Sequence, residues 1–246
     1  MQFRSQIWCL AGATAPFLLV CSLAAQTPEP PNLQQKIAQI QQDSGKNKEL
    51  LRDYQWTETT TITIDGNQRP PRVSLCRYGP DGTVEKTPMG GRDTTQQGQM
   101  GGMGPRGMLV RKLIAGRKKK AIEKEVADIR SVAKMYIPLD REKLRAAFAA
   151  GRVTIEGGDA NGEAIVIRDY AKKGDEVTLA LAPATKKIES VAVKSYLDHP
   201  RDKLTGEVEF SRLENGARYA GVISIAAPSK NISITIVNSN YAKIAD

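Results

Sequence analysis

The chain has 246 residues, a formal net charge of +9, three cysteines and a single histidine, His199. One histidine excludes a histidine metal cluster and a Ser–His–Asp triad. The charge is local: residues 106–124 hold eight Lys or Arg against one acid, Glu123, so they carry +7 of the +9.

Residues 1–25 read as a secretory signal peptide. Arg4 precedes an apolar run from Ile7 to Val20, and Ser22, Leu23 and Ala24 supply the small residues of a cleavage site. The run holds Gly12, Thr14 and Pro16 and falls short of the ~20 residues that a span needs. Cys21 offers lipoprotein processing as an alternative, but Val20 precedes it where Gly, Ala or Ser is favoured. Cleavage leaves residues 26–246 as one domain of the periplasm, with Cys76 as its sole cysteine and no intrachain disulfide.

Thr27–Pro31 is a rigid spacer. Leu33, Ile37 and Ile40 then fall at helical spacing, which predicts a helix over 32–43. A break at Ser44-Gly45 and a further turn or two lead to Asp53. In YQWTETTTITIDG, Trp56, Ile62 and Ile64 share one parity, and Thr57, Thr59, Thr61 and Thr63 the other. That is a strand with one wet face, closed by an Asp65-Gly66 turn. A strand through Val73, Leu75 and Arg77 follows, then a turn at 79–82 and a return over 83–87.

Residues 89–107, MGGRDTTQQGQMGGMGPRG, are glycine-rich and polar, and predict a flexible loop. Met89, Met100, Met103 and Met108 are thioethers of the kind that suit Cu(I), but no cysteine or histidine joins them, and no metal is expected. Residues 108–151 form a basic helical insertion. Its apolar stripe is Ile122, Val126, Ile129, Ala133 and Tyr136. Pro138 stops that helix, and Asp140 caps a second one with Leu144 and Phe148 inward and Gly151 past its end.

From Gly151 the chain becomes a meander, with strands at 153–156, 164–170, 177–182, 187–196, 204–213, 217–226 and 232–239. Connections this short force antiparallel neighbours. The fold class is therefore α+β: a curved antiparallel sheet of about ten strands, forming an unclosed barrel covered by helices. The carboxylates Asp140, Glu142, Asp169, Asp175, Glu207 and Glu209 read as solvated, His199 as a turn residue and Cys76 as a small buried hydrophobe.

LLRDYQWTETTTITIDG, DEVTLALAPATKKIESVAVKSY and GEVEFSRLENGARYAGVISIAAPSKNISITIVNSNYAKI resemble the outer-membrane lipoprotein-sorting family of periplasmic carriers. The resemblance implies an unclosed barrel with a helical lid that holds an acyl chain, a lipid or a lipidated protein. No position matches the family's functional arginine, and the Gly/Met loop and basic helix have no counterpart there.

The expected function is non-enzymatic binding of an acyl chain on the concave face, without a cofactor. Trp56, Leu179, Phe210, Ile223 and Ile234 are the lining candidates. The competing class is an envelope interaction protein with a solid core and no ligand. Arg111, Lys112, Arg117, Lys118, Lys119 and Lys120 form a candidate surface for anionic membrane. Their segment lacks stacking aromatics, which argues against nucleic acid. Each Lys or Arg near an anionic surface is worth about 1 kcal/mol. Changing Lys118, Lys119 and Lys120 to Gln should therefore cut cosedimentation with phosphatidylglycerol vesicles sharply; undiminished binding would remove the surface from consideration.

Overall fold

Short turns between alternating strands dictate the observed topology. In the computed structural model the described residues are 31–90, 105–157 and 162–244. The signal peptide and most of the 89–107 loop, with Met100 and Met103, lie outside them. Among the described residues three helices, α1 (Pro31–Leu51), α2 (Pro105–Ala133) and α3 (Arg141–Ala149), accompany eleven strands. These are β1 (Tyr54–Ile64), β2 (Asn67–Gln68), β3 (Arg72–Tyr78), β4 (Val84–Pro88), β5 (Val153–Gly157), β6 (Glu163–Arg168), β7 (Glu176–Leu181), β8 (Ile188–Tyr196), β9 (Lys203–Arg212), β10 (Arg218–Ala227) and β11 (Ile232–Lys243).

The order across the sheet is β4-β3-β1-β11-β10-β9-β8-β7-β6-β5, with β2 paired to β1. Every pair is antiparallel, and β4 and β5 form the two edges, so the sheet is an unclosed barrel as expected. The first and last strands meet: β1 pairs with β11 from Tyr54↔Lys243 to Ile64↔Ile232.

Directly opposed residues share a face. One such row runs Val153, Ile167, Val177, Val193, Gly206, Ile225, Ile234 and Ile62 across eight strands. It belongs to the apolar core, which α2 joins through Val126, Ile129 and Val132, and α3 through Leu144 and Ala147. The opposite face carries Thr57, Thr59, Thr61, Thr63, Glu207 and Glu209, and both glutamates are exposed. No helix among the described residues is long and apolar enough to cross a membrane.

Three expectations need correction. α1 runs unbroken through Ser44-Gly45. An interior glycine costs a helix only about 1 kcal/mol, and contacts on both sides, Ile40 against the core and Asn47 on β10, hold it. α2 begins at Pro105, inside the stretch expected as loop, because proline suits a first helical turn. α3 packs as expected, with Leu144 buried and Phe148 half-buried against the core, and Ala147 is buried beside them.

The third correction concerns Asp175, expected to be solvated and in fact only 2% exposed. Its carboxylate accepts the backbone N–H groups of Tyr170 (2.6 Å), Ala171 (2.9 Å) and Lys172 (2.6 Å). The Tyr136 hydroxyl donates to it at 2.7 Å and meets Ser195 Oγ at 2.7 Å. Tyr170 closes the network, its hydroxyl accepting the N–H of Asp140 at 2.6 Å. The end of α2, the start of α3, the β6–β7 turn and β8 are thereby joined.

Tyr136→Phe leaves a buried carboxylate short of one donor and Ser195 without its partner. It should cost about 1–3 kcal/mol, read as a lower urea midpoint at unchanged slope. Ser195→Ala should cost less, and its effect should not add to that of Tyr136→Phe. Simple additivity would mean that the hydroxyls are not coupled.

Candidate binding face

Two irregularities in the ladder lie beside an aromatic wall at the α1 end of the concave face. Between Gln55↔Ala242 and Thr57↔Ser239 the register slips, so Trp56 faces two residues, Asn240 and Tyr241. Asn240 takes φ 53°, which Asn tolerates better than most residues. On the next strand the register slips between Ala220 and Val222. A Cβ at the extra residue, Gly221, would collide with Ser211 Oγ. Bulges bend and twist a strand locally. Four rings meet beside them, from β1, β3, β10 and β11: Trp56 stacks on Tyr241 at 5.4 Å and 8°, Tyr219 lies 4.1 Å from Tyr241, and Tyr78, placed by the regular β1–β3 register, lies 5.3 Å from Trp56.

Polar groups stand among the rings. Lys86 donates to both oxygens of Glu58 at 2.6 Å, across the inward face from β4 to β1. Asn47 of α1 clips the backbone of Arg218, its Nδ2 donating to the carbonyl and its Oδ1 accepting the N–H at 2.6 Å. Asn238 donates through Nδ2 to the Ala220 carbonyl at 2.8 Å. Three buried polar atoms have no hydrogen-bond partner among the described residues: Trp56 Nε1, Arg218 Nε and Asn238 Oδ1. They sit on three adjacent strands, β1, β10 and β11.

At the rim, the start of the β3–β4 turn, the end of β11 and the residues after α1 enclose a cleft of about 450 Å³. Tyr78, Pro80 and Ile244 form its apolar part. Arg52 and Arg77 supply charge, Arg77 being paired with Glu85 at 2.9 Å. The cleft thus joins an apolar floor to a net positive edge.

Of the five lining candidates, Leu179 and Ile234 are 3% and 1% exposed and lie in the packed core under the helices. Phe210 and Ile223 are half-buried against it. Trp56 alone belongs to the aromatic wall. Parity arguments do find buried faces, but they pass over Tyr241 and Tyr219: the bulge in β11 sets Tyr241 against Trp56, and Tyr219 meets Tyr241, whereas Tyr78 reaches Trp56 through the regular β1–β3 register. Among the basic candidates, Arg117, Lys119 and Lys120 are exposed on α2. The side chains of Arg111, Lys112 and Lys118 lie outside the described residues.

The chain is similar in outline to a DUF1329 family protein from Desulfovibrio piger ATCC 29098, with TM-score 0.39 and 9% identity over 85% of this chain and 92% of that one. It is also similar to a LolA superfamily protein from Nitrosomonas europaea, with TM-score 0.34 and 11% identity over 84% of this chain and 94% of that one. No protein-family model and no curated protein matches it.

Burial raises the ionisation of Tyr78, Tyr136, Tyr170 and Tyr241 above the ordinary value of 10.0, most strongly for Tyr136 and Tyr241. A phenol whose native pKa is raised contributes stability below the unfolded value and loses it as pH rises. The urea midpoint should therefore fall once pH passes about 10. Phenolate absorbance of the folded protein should lag behind that of the unfolded chain. Coincident titrations would show that these rings are open to water.

Proposed function

We propose that the protein is a non-enzymatic binder of an amphipathic, acyl-bearing molecule, held at the α1 end of the concave face. One observation carries the reading: three unpartnered buried polar atoms beside a four-ring wall. Leaving such a group unpaired costs about 1–3 kcal/mol. Two of the atoms are N–H donors and one is a carbonyl acceptor, the set that an amide linkage satisfies; an ester would satisfy only the two donors. The rings and the rim cleft offer area to an alkyl chain, which needs contact rather than reactive groups. Arg52 and Arg77 suit an anionic head.

α1 covers this region through Asn47 and Leu51, and releasing the Asn47–Arg218 clip admits the ligand. Secretion, inferred from the leader-like first residues, puts the acyl source at the cell envelope. The exposed cations of α2 suit docking on an anionic membrane from which such a molecule is collected or to which it is delivered. A second reading, an interaction protein with a solid core, is favoured by the tight burial of Leu179 and Ile234 beneath α2.

The two readings separate on a fluorescence measurement. The sequence has two tryptophans, Trp8 and Trp56, so Trp8→Phe leaves Trp56 as the sole reporter. A spin-labelled fatty acid should quench Trp56 saturably, and the unlabelled acid should restore the emission. Asn238→Leu should weaken the effect while circular dichroism stays unchanged. A folded protein whose Trp56 emission ignores the probe is a solid-core interaction protein.

A further inference from the structure

At the other end of the sheet, α3, the start of β5 and the β6–β7 turn surround a second concavity of about 360 Å³. Four cations line it, Lys143, Arg152, Lys172 and Lys173, against one carboxylate, Asp169. None of the four makes an ion pair among the described residues, whereas Lys86, Lys124, Lys186, Lys194, Arg77 and Arg168 each do. Asp169 accepts the N–H of Gly174 at 2.6 Å, which commits one of its oxygens to the turn. Asp140, which also attracts Lys143, commits Oδ1 to the first turn of α3.

Two of the cations are fixed without being neutralised. Lys172 Nζ donates to the carbonyls of Tyr196 (2.7 Å) and Leu197 (2.8 Å) and lies 4.8 Å from the Tyr196 ring centroid. An ammonium has three donors, so one remains. Arg152 donates through Nη1 to the Asp169 carbonyl, leaving its other guanidinium donors available. Lys143 sits over the Tyr170 ring, 5.7 Å from its centroid. Beneath them the Asp175 network holds the Tyr170–Lys172 backbone in place, so the positive groups are presented by a rigid floor.

We infer that this concavity is a binding site for a phosphate-class anion, supplied either by a lipid headgroup or by a free phosphate ester. Lys172 and Arg152 give fixed, partly satisfied donors, and Lys143 and Lys173 close around a tetrahedral dianion from the rim. The site is separate from the aromatic wall and does not depend on the acyl-binding reading.

Titration calorimetry of the full chain with inorganic phosphate, at constant ionic strength, is the first test. Saturable binding is expected. A charge-assisted hydrogen bond is worth about 1.5–3 kcal/mol, so Lys143→Gln or Lys173→Gln should each weaken binding about tenfold or more. Lys187→Gln, an exposed cation on the β7–β8 turn, should leave it unchanged. Cosedimentation with phosphatidic acid vesicles then separates the sources. Vesicle binding that phosphate displaces identifies a headgroup, and phosphate binding without vesicle binding identifies a free ester. Failure of both phosphate and vesicles to bind would overturn the inference. So would equal losses for Lys187→Gln and the two pocket variants, since that is a general charge effect.

Discussion

An eleven-stranded antiparallel sheet that does not close has one broad concave face to keep from water, and the described residues supply three helices to cover it. The row from Val153 to Ile62 spans eight strands, and every apolar member of it must find a cover. α2 and α3 contribute Val126, Ile129, Val132, Leu144 and Ala147 to a close-packed core that includes Val153, Ile167, Val177 and Val193. Toward β3, β1 and β11 the filling changes to rings, hydroxyls and an ion pair. The molecule thus has an aliphatic half and a half filled by rings and polar groups.

The two halves treat buried polarity in opposite ways. Asp175 sits in the apolar half, where an unpaired carboxylate would be prohibitive, and four donors satisfy it. At the α1 end, three buried polar atoms have no hydrogen-bond partner among the described residues. Asp175 thus has a full set of partners, while these three atoms have none among the described residues.

Strand positions were legible because alternation survives on a sheet with one wet face. The threonines of β1, the short turns and the Asp140 cap all lie within a few residues of their consequences. The stripe on α2 is equally local, and so it was legible too. Asp175 was not, because Lys-Gly-Asp reads as an ordinary solvated turn and nothing nearby reveals that three backbone N–H groups fold back onto the carboxylate. The aromatic wall was not legible either. Tyr219, Gly221, Ile223 and Ile225 share a parity in sequence, yet the register slip beside Gly221 pairs Phe210 with Ala220 and breaks that parity. Trp56 and Tyr241 are strand partners across nearly the whole chain, so their stacking depends on closure of β1 on β11 and a bulge at Asn240.

Leaving the barrel open creates two edges that could recruit foreign strands. β4 is only five residues long, carries Glu85 and Lys86, and ends in Pro88, which cannot donate to a new ladder. Lys86 points inward to Glu58, placing a charge where a docking strand would want an apolar contact. β5 is equally short, with Glu156 paired to Arg168 at 3.1 Å and Gly157 at φ 78°. A closed barrel would need none of these devices, but its mouth would be fixed by the ladder. The open sheet keeps β3 and β4 as a wall attached along one side only. The rim cleft at Tyr78 lies between that wall, the residue after α1 and the residue after β11.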